Sequence, residues 1–304
     1  MNIDWNNKEQ LERFLSLQRK KPEMPVQHTR ELWDRRAHNW ESGLREDKAR
    51  KERSRKRIDA TAEFLRSHGL LGTDCEVIDI GCGPGRFVAE FAKTAKHATG
   101  TDLSPNMLGY AAEFCRKQGL SNTSFTACDF KKADIRQLGW EKRFDLVFSS
   151  ITPAVSDYTG VEKAMAMSRG WCFHASFLSR QDDLLRAVSE EVFGRKAVSR
   201  WDGRSPYALF NILWLRGWHP YVSYYSEKSI DSYTADRALA DRVAENLGIG
   251  REDEANIVRI LDFLQKKADS NGELHFPFRS DYIWLLWNVE KKTDRSSYET
   301  MPGN

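Results

Sequence analysis

Cysteine is scarce in this chain of 304 residues. The five present, Cys75, Cys82, Cys115, Cys128 and Cys172, are odd in number, and none stands at Cys-x-x-Cys spacing. That pattern argues against a disulfide framework and against a zinc site, so no metal and a reducing, cytoplasmic setting are expected. Long apolar runs are missing as well. None approaches the roughly 20 residues a membrane-spanning helix needs, and Met-Asn-Ile-Asp-Trp-Asn-Asn at the start lacks the charged-then-apolar order of a secretion signal. A soluble protein with no membrane partner is expected. Charge of one sign is also in short supply. Lys and Arg number 47 against 44 Asp and Glu, a net +3 that by itself points to neither nucleic acid nor membrane. Repeats and low-complexity segments are absent. Aromatic residues, by contrast, are plentiful, ten of them Trp. The length suits one large domain or one domain with an elaborate cap.

The most informative stretch is Cys75-Glu-Val-Ile-Asp-Ile-Gly-Cys-Gly-Pro-Gly-Arg-Phe87. An apolar strand runs into a turn built from Gly81, Gly83 and Gly85, and a helical pattern follows with Phe87, Val88, Phe91 and Ala92 on one face. Strand, glycine turn and helix open a nucleotide-binding βαβ unit. Glycine lets the backbone approach a ligand closely, and a helix N-terminus offers unpaired N–H groups. The spacing is Gly-x-Gly-x-Gly, however, not the dinucleotide Gly-x-Gly-x-x-Gly. Asp79, inside the strand, would repel a pyrophosphate and suit a cation.

Around this stretch the periodicity predicts helices over 7–20 and from Thr29 to about 40, broken by Pro22 and Pro25, and another that becomes amphipathic from Ile58 and stops at Gly69. The dense charges of 45–57 read as a solvated helical face, with a basic arm for nucleic acid as the alternative. Strands are expected at 76–80, 97–101, 123–128, 144–149 and 171–177, alternating with helices over about 85–95, from Ser104 to Gly119 (Ser104 as cap, Pro105 in the first turn) and near 161–168. Such alternation implies a mostly parallel sheet with helices on both faces. Ligands on these sheets bind beyond the carboxyl ends of the strands, where Gly81, Asp102, Asp129 and Ser149 fall. Later come helices at 181–192, 207–215, 235–247 and 251–268, a strand at 221–225 and a last strand at 282–289.

These strings, Val-Ile-Asp-Ile-Gly-Cys-Gly-Pro-Gly, then Gly-Thr-Asp-Leu-Ser-Pro-Asn-Met-Leu, Ala-Cys-Asp-Phe and Phe-Asp-Leu-Val-Phe-Ser-Ser, resemble in order and interval those of class I S-adenosylmethionine-dependent methyltransferases. The resemblance covers 75–180 and extends weakly to Leu215-Arg216-Gly217-Trp218. It implies an α/β, doubly wound, mostly parallel seven-stranded sheet, with the antiparallel seventh strand inserted between five and six. It divides the chain into an N-terminal helical lid (1–70), a cofactor-binding core (71–180), the remainder of the core with a helical substrate cap inserted before the last strand (181–292) and a polar tail (293–304). The cofactor implied is S-adenosyl-L-methionine. Gly81, Cys82, Gly83 and Gly85 would lie under it, Asp79 would attract its ammonium, and Asp102 would accept both ribose hydroxyls. Leu103 and Met107 would pack on the adenine, Asp129 would accept from its amino group with Phe130 beside the ring, and Ser149 would face the methyl donor. Cys82 is read as small and apolar rather than catalytic.

Methyl transfer from a sulfonium relies mainly on holding donor and acceptor in line, so a general base is not obligatory. Asp157, Tyr158 and His174 are the weak catalytic candidates. Trp33, Arg36 and Trp40 resemble the lid helix of small-molecule members, and Thr152 and Trp201 join them as candidates on the substrate side. The loop Ser149-Ser150-Ile151-Thr152-Pro153-Ala154 lacks the Asn- or Asp-Pro-Pro-Tyr of exocyclic-amine enzymes. No Cys lies between Cys128 and Cys172, which counts against RNA cytosine-5 chemistry. The partner expected is therefore a small-molecule methyl acceptor, with nucleic acid disfavoured. An RNA or protein methyltransferase using 45–57, and a non-catalytic cofactor-binding scaffold, are the alternatives.

Overall fold

The computed structural model describes residues 8–18, 29–37, 48–196 and 203–294. Among the described residues, three helices precede the sheet: α1 (Lys8–Gln18), α2 (29–37) and α3 (Lys48–Ser67). The core then alternates β1 (Glu76–Ile80), α4 (Arg86–Ala92), β2 (His97–Asp102), α5 (Pro105–Lys117), β3 (Thr123–Ala127), β4 (Phe144–Ser150), α6 (Tyr158–Met167) and β5 (Ser168–Asp182). After α7 (Asp183–Ala187), which continues as a π-turn over Val188–Val192, come α8 (Arg204–Leu215), β6 (Tyr221–Thr234), α9 (Arg237–Leu247), α10 (Glu254–Lys267) and β7 (Glu273–Asn288).

The sheet order is β3-β2-β1-β4-β5-β7-β6, with β7 antiparallel to both neighbours and the first five strands parallel. The fold expected from the sequence is thus present, including the inserted seventh strand and the helical insertion before it. β1 shows why: Val77, Ile78 and Ile80 are each at most 1% exposed, as a central parallel strand covered on both faces requires. On one face Val77, Phe148, Phe173 and Trp284 pack beneath α3, α4 and α5. On the other, Ile78, Ile80, Val147 and Leu285 pack beneath α6 and α8, with Leu11, Phe14 and Leu15 of α1 laid against them.

The carboxyl side of the sheet is taller than the sequence reading allows. β5, β6 and β7 run to 15, 14 and 16 residues, against the 7, 5 and 8 of the apolar runs 171–177, 221–225 and 282–289. Their extensions alternate polar residues with isolated apolar ones such as Ile230, Leu274, Phe276 and Phe278, so they form no continuous apolar run, but pairing continues to Asp182↔Phe278 and Thr234↔Glu273. A third apolar cluster sits at this end, where Leu184 and Val188 meet Leu239, Val243, Ile257, Ile260 and the tip residue Leu274. The helical insertion therefore forms a cap with its own core.

The charged run also departs from its reading. Glu52, Arg55 and Lys56 are exposed and pair with one another, but Arg53 and Arg57 are drawn into β6. Arg57 donates to Glu227 at 3.1 Å and to the Tyr282 hydroxyl at 2.9 Å. Arg53 donates to both carboxylate oxygens of Asp231, one at 3.2 Å, and lies 4.0 Å over Phe278.

Candidate active site

The carboxyl ends of β1, β2 and β4 meet at the glycine turn. Gly81 and Cys82 donate their backbone N–H to the Thr101 carbonyl at 2.7 and 2.9 Å, stitching the turn to β2. The Asp102 carboxylate clamps it from the other side, accepting from Gly83 N at 3.0 Å and Ser104 N at 2.9 Å. Ser104 caps α5, accepting from Met107 N at 3.1 Å. Two glycines are required by crowding. Gly85 has φ +70°, and a Cβ there would stand 2.6 Å from that of Ala111. Gly81 has φ +72°, and a Cβ there would overlap the Thr152 hydroxyl. Gly83 is different: nothing lies within 4 Å of the position its Cβ would take, so the backbone is bare on the side open to a ligand. Gly81→Ala should combine left-handed strain of about 1–2 kcal/mol with displacement of Thr152. S-adenosylhomocysteine should bind about tenfold more weakly by calorimetry, and Thr152→Ala in the same chain should recover part of the loss.

Beneath the turn, Asp79 is only 3% exposed. Burial, and then the neighbouring Asp102, hold its carboxyl well above the ordinary carboxylate range. No described residue donates a hydrogen bond to it. Burial likewise raises Asp102, against the three backbone N–H groups that favour its charge, and Asp34 adds to the rise. Asp34 belongs to α2, where it accepts from the Ser104 hydroxyl. Two positions further along α2, Arg36 donates to Glu245 of α9 at 3.0 Å and lies 5.2 Å over Trp33. The helix therefore joins the end of β2 to the cap. The site's acidic end holds Asp34, Asp79 and Asp102.

Cys82 is 8% exposed, with its sulfur filling the space beside Gly100 and its thiol raised by burial. Leu103 and Asp129 are half-buried at the ends of β2 and β3. Met107 and Phe130 are 3% exposed, and Lys163 lies over the Phe130 ring at 5.4 Å. Asp157 caps α6, accepting from Gly160 N at 2.9 Å. Tyr158 is core, its hydroxyl without a hydrogen-bond partner among the described residues and pushed up to about 12 by burial. The Ser149 hydroxyl is turned away from the turn, toward the Phe173 carbonyl and His174 Nδ1. His174 is 7% exposed, and burial pushes it down to about 4, so it is neutral at pH 7. Trp40 and Trp201 lie outside the described residues. Sequence reasoning missed Asp34 and Ser176. For Ser176 the available signal was the two-residue strand period that puts it on the face of His174; Asp34 shares a helix with Trp33 and Arg36 but not their face.

Residues 71–169 match the family model described as a methyltransferase domain. The chain is 39% identical over 59 residues to a ubiquinone biosynthesis O-methyltransferase of Methylococcus capsulatus, a stretch covering 19% of this chain and 24% of that protein. It thus spans about a quarter of that relative's length. An uncharacterized protein of Haemophilus influenzae is 27% identical over 224 residues, 72% of this chain and 78% of its own. Among solved structures, magnesium protoporphyrin IX methyltransferase from Synechocystis PCC 6803, with bound SAH, is 13% identical with a TM-score of 0.44, covering 93% of this chain and 96% of that one. Residues 71–169 are a methyltransferase domain. The sheet order is that of a Rossmann-like α/β fold, and the cofactor implied by the sequence resemblance is S-adenosylmethionine.

The residues present fit that cofactor. A buried carboxyl with no donor among the described residues suits an ammonium, the open side of Gly83 admits a nucleoside, and the cluster of Asp34, Asp79 and Asp102 disfavours the pyrophosphate of a dinucleotide.

Proposed function

We propose that the protein transfers a methyl group from S-adenosylmethionine to a small-molecule acceptor held between the carboxyl ends of β4 and β5 and the helical cap. The carrying observation is the acidic, glycine-lined seat formed by Asp79, Gly81, Gly83, Gly85 and Asp102. When bound there, the cofactor supplies an electrophilic methyl group on a sulfonium. Asp79 attracts the ammonium, and Asp102 accepts the ribose hydroxyls while holding Gly83. Leu103 and Asp129 flank the adenine, backed by Met107 and Phe130. Residues 1–70 act as the lid and 181–292 as the acceptor-side cap. Trp33, Arg36 and Thr152 would close over the acceptor, and Trp40 and Trp201 remain candidates for contact with it.

The small-molecule reading is supported by α2, which bridges Ser104 and Glu245 and so roofs the end of β2. The nucleic-acid reading loses two of its cations, since Arg53 and Arg57 are engaged by Asp231 and Glu227. A radiolabelled-methyl assay against fractionated small-molecule and RNA pools tests this. Label should enter a small-molecule fraction. Label in RNA alone, or salt-dependent retention on RNA at low salt, would refute the acceptor class. No label in any fraction would refute the activity.

The electrostatics give a further expected result. A cation placed beside Asp79 lowers its pKa, so binding releases a proton. Affinity for S-adenosylhomocysteine should then rise with pH through the window between the lowered bound value and the raised free one, and level off above it. Calorimetry between about pH 5 and pH 8 should show this rise beyond the ordinary carboxylate range of about 4. Asp79→Asn should reduce the slope; an unchanged slope would remove Asp79 from the site.

A further inference from the structure

A buried chain of proton-transferring groups lies among the described residues at the rim of the proposed site. Ser149 Oγ lies 2.9 Å from His174 Nδ1, and His174 Nε2 lies 2.9 Å from Ser176 Oγ. The Ser149 hydroxyl also donates to the Phe173 carbonyl at 3.3 Å. With its proton committed there, Ser149 accepts from Nδ1–H, and the imidazole is fixed in the tautomer whose Nε2 lone pair faces Ser176. The two hydroxyls differ in access: Ser149 is 3% exposed, whereas Ser176 is half-buried. Ser176 stands one residue beyond the last β4–β5 pair, Ser150↔Ala175, next to the point where Ile151 N bonds the Ala175 carbonyl at 3.0 Å. One residue after Ile151, Thr152 packs on Gly81. Gly81, Thr152 and Ser176 thus follow one another along a single rim.

We propose that Ser176 touches the methyl acceptor and that His174, positioned by Ser149, is the base that acts through it. This deepens, and rests on, the methyl-transfer reading above. The class of acceptor it fits carries a proton on the attacking atom, a hydroxyl or an N–H group. As the acceptor's electron pair forms the bond to the methyl carbon and the carbon–sulfur pair stays on sulfur, the acceptor's proton passes to Ser176 Oγ. The Ser176 proton passes at the same time to His174 Nε2. The products are the methylated acceptor, neutral S-adenosylhomocysteine and an imidazolium. One positive charge is lost at sulfur and one appears on His174, so the site's net charge is unchanged. A buried imidazole with no carboxylate among its hydrogen-bond partners is suited to this exchange. It stays neutral while the sulfonium is present and takes the proton only as that charge disappears.

Two measurements on the full chain test it. The first needs no acceptor. In protein with 15N-labelled histidine at neutral pH, His174 should show a protonated Nδ1 and an unprotonated, hydrogen-bonded Nε2, and Ser176→Ala should shift Nε2. The opposite tautomer, or an unmoved Nε2, overturns the relay whatever the enzyme methylates. The second uses the acceptor fraction found by the labelled-methyl assay. Ser176→Ala and His174→Gln should lower kcat on the order of 100-fold, with S-adenosylhomocysteine affinity within twofold of wild type, and Ser176→Thr should restore most of the rate. A wild-type rate in Ser176→Ala, or a Ser176→Thr enzyme as slow as the alanine variant, overturns it. If wild type labels no fraction, the methyl-transfer reading fails, and the relay fails with it as a catalytic device even where the tautomer is as expected.

Discussion

Replacing Asp102 by alanine should weaken S-adenosylhomocysteine binding about 300-fold. The residue does two jobs. Its oxygens accept from Gly83 N and Ser104 N, so it sets the shape of the turn as well as the start of α5. In the proposed complex it also accepts two ribose hydroxyls. Hydrogen bonds to a charged group contribute about 1.5–3 kcal/mol each. Losing the ribose pair, together with some order in the turn, amounts to about 3.5 kcal/mol, or some 300-fold. The cost to folding should be small, because Ser104 still caps α5 through its own hydroxyl. Isothermal titration with parallel thermal unfolding separates the two. Equal affinity in wild type and variant would contradict the placement of the ribose.

The second large effect is on stability. Asp231→Ala would leave Arg53, 11% exposed at its side chain, with the neutral Ser229 hydroxyl and, at 3.8 Å, Glu227, a carboxylate already bonded to Arg57 and Tyr282. Breaking one partner of a buried pair costs about 3–5 kcal/mol because the other charge stays buried and uncompensated. Taken with the usual dependence of Tm on stability, a loss of about 10 °C is expected. The double variant Arg53→Met with Asp231→Leu removes both charges and keeps apolar contact with Phe278, and should recover most of the loss. A single variant melting within 2 °C of wild type, or a double variant less stable than the single, would show that the pair is not what joins α3 to β6.

Much of the core was legible in the sequence because its signals are local. β1 announces itself by Val77, Ile78 and Ile80 followed by glycines, and β2 by the β-branched Thr99 and Thr101 ending in an acid. α5 is marked by a serine cap and a proline in its first turn. The same locality explains what was hidden. The outer half of β6, Ser226 to Thr234, has carboxylates at two inward positions, Glu227 and Asp231. Their partners come from α3, 170 and 178 residues away in sequence. A pattern reader sees two polar segments, one strand-like only in part and one a solvated helix; the fold sees one buried contact. At the site, the strand-end acids could be read from the chain, but the contact of α2 with the end of β2 runs through Asp34 rather than through the conspicuous Trp33 and Arg36. Asp157 and Tyr158 drew notice as polar loop residues, yet one is a helix cap and the other core. Ser176 offered no composition signal; the two-residue period of β5 puts it on the face of His174, and the end of the β4–β5 pairing at Ser150↔Ala175 puts it at the rim.

Every role proposed for the site depends on the identity of the molecule that the glycine turn holds. Isothermal titration of S-adenosylhomocysteine into the wild-type chain, with NAD as the comparison ligand, tests this most directly. Saturable binding of one S-adenosylhomocysteine per chain, with no heat from NAD, is the predicted result. Binding of NAD, or the absence of any S-adenosylhomocysteine binding, would contradict it.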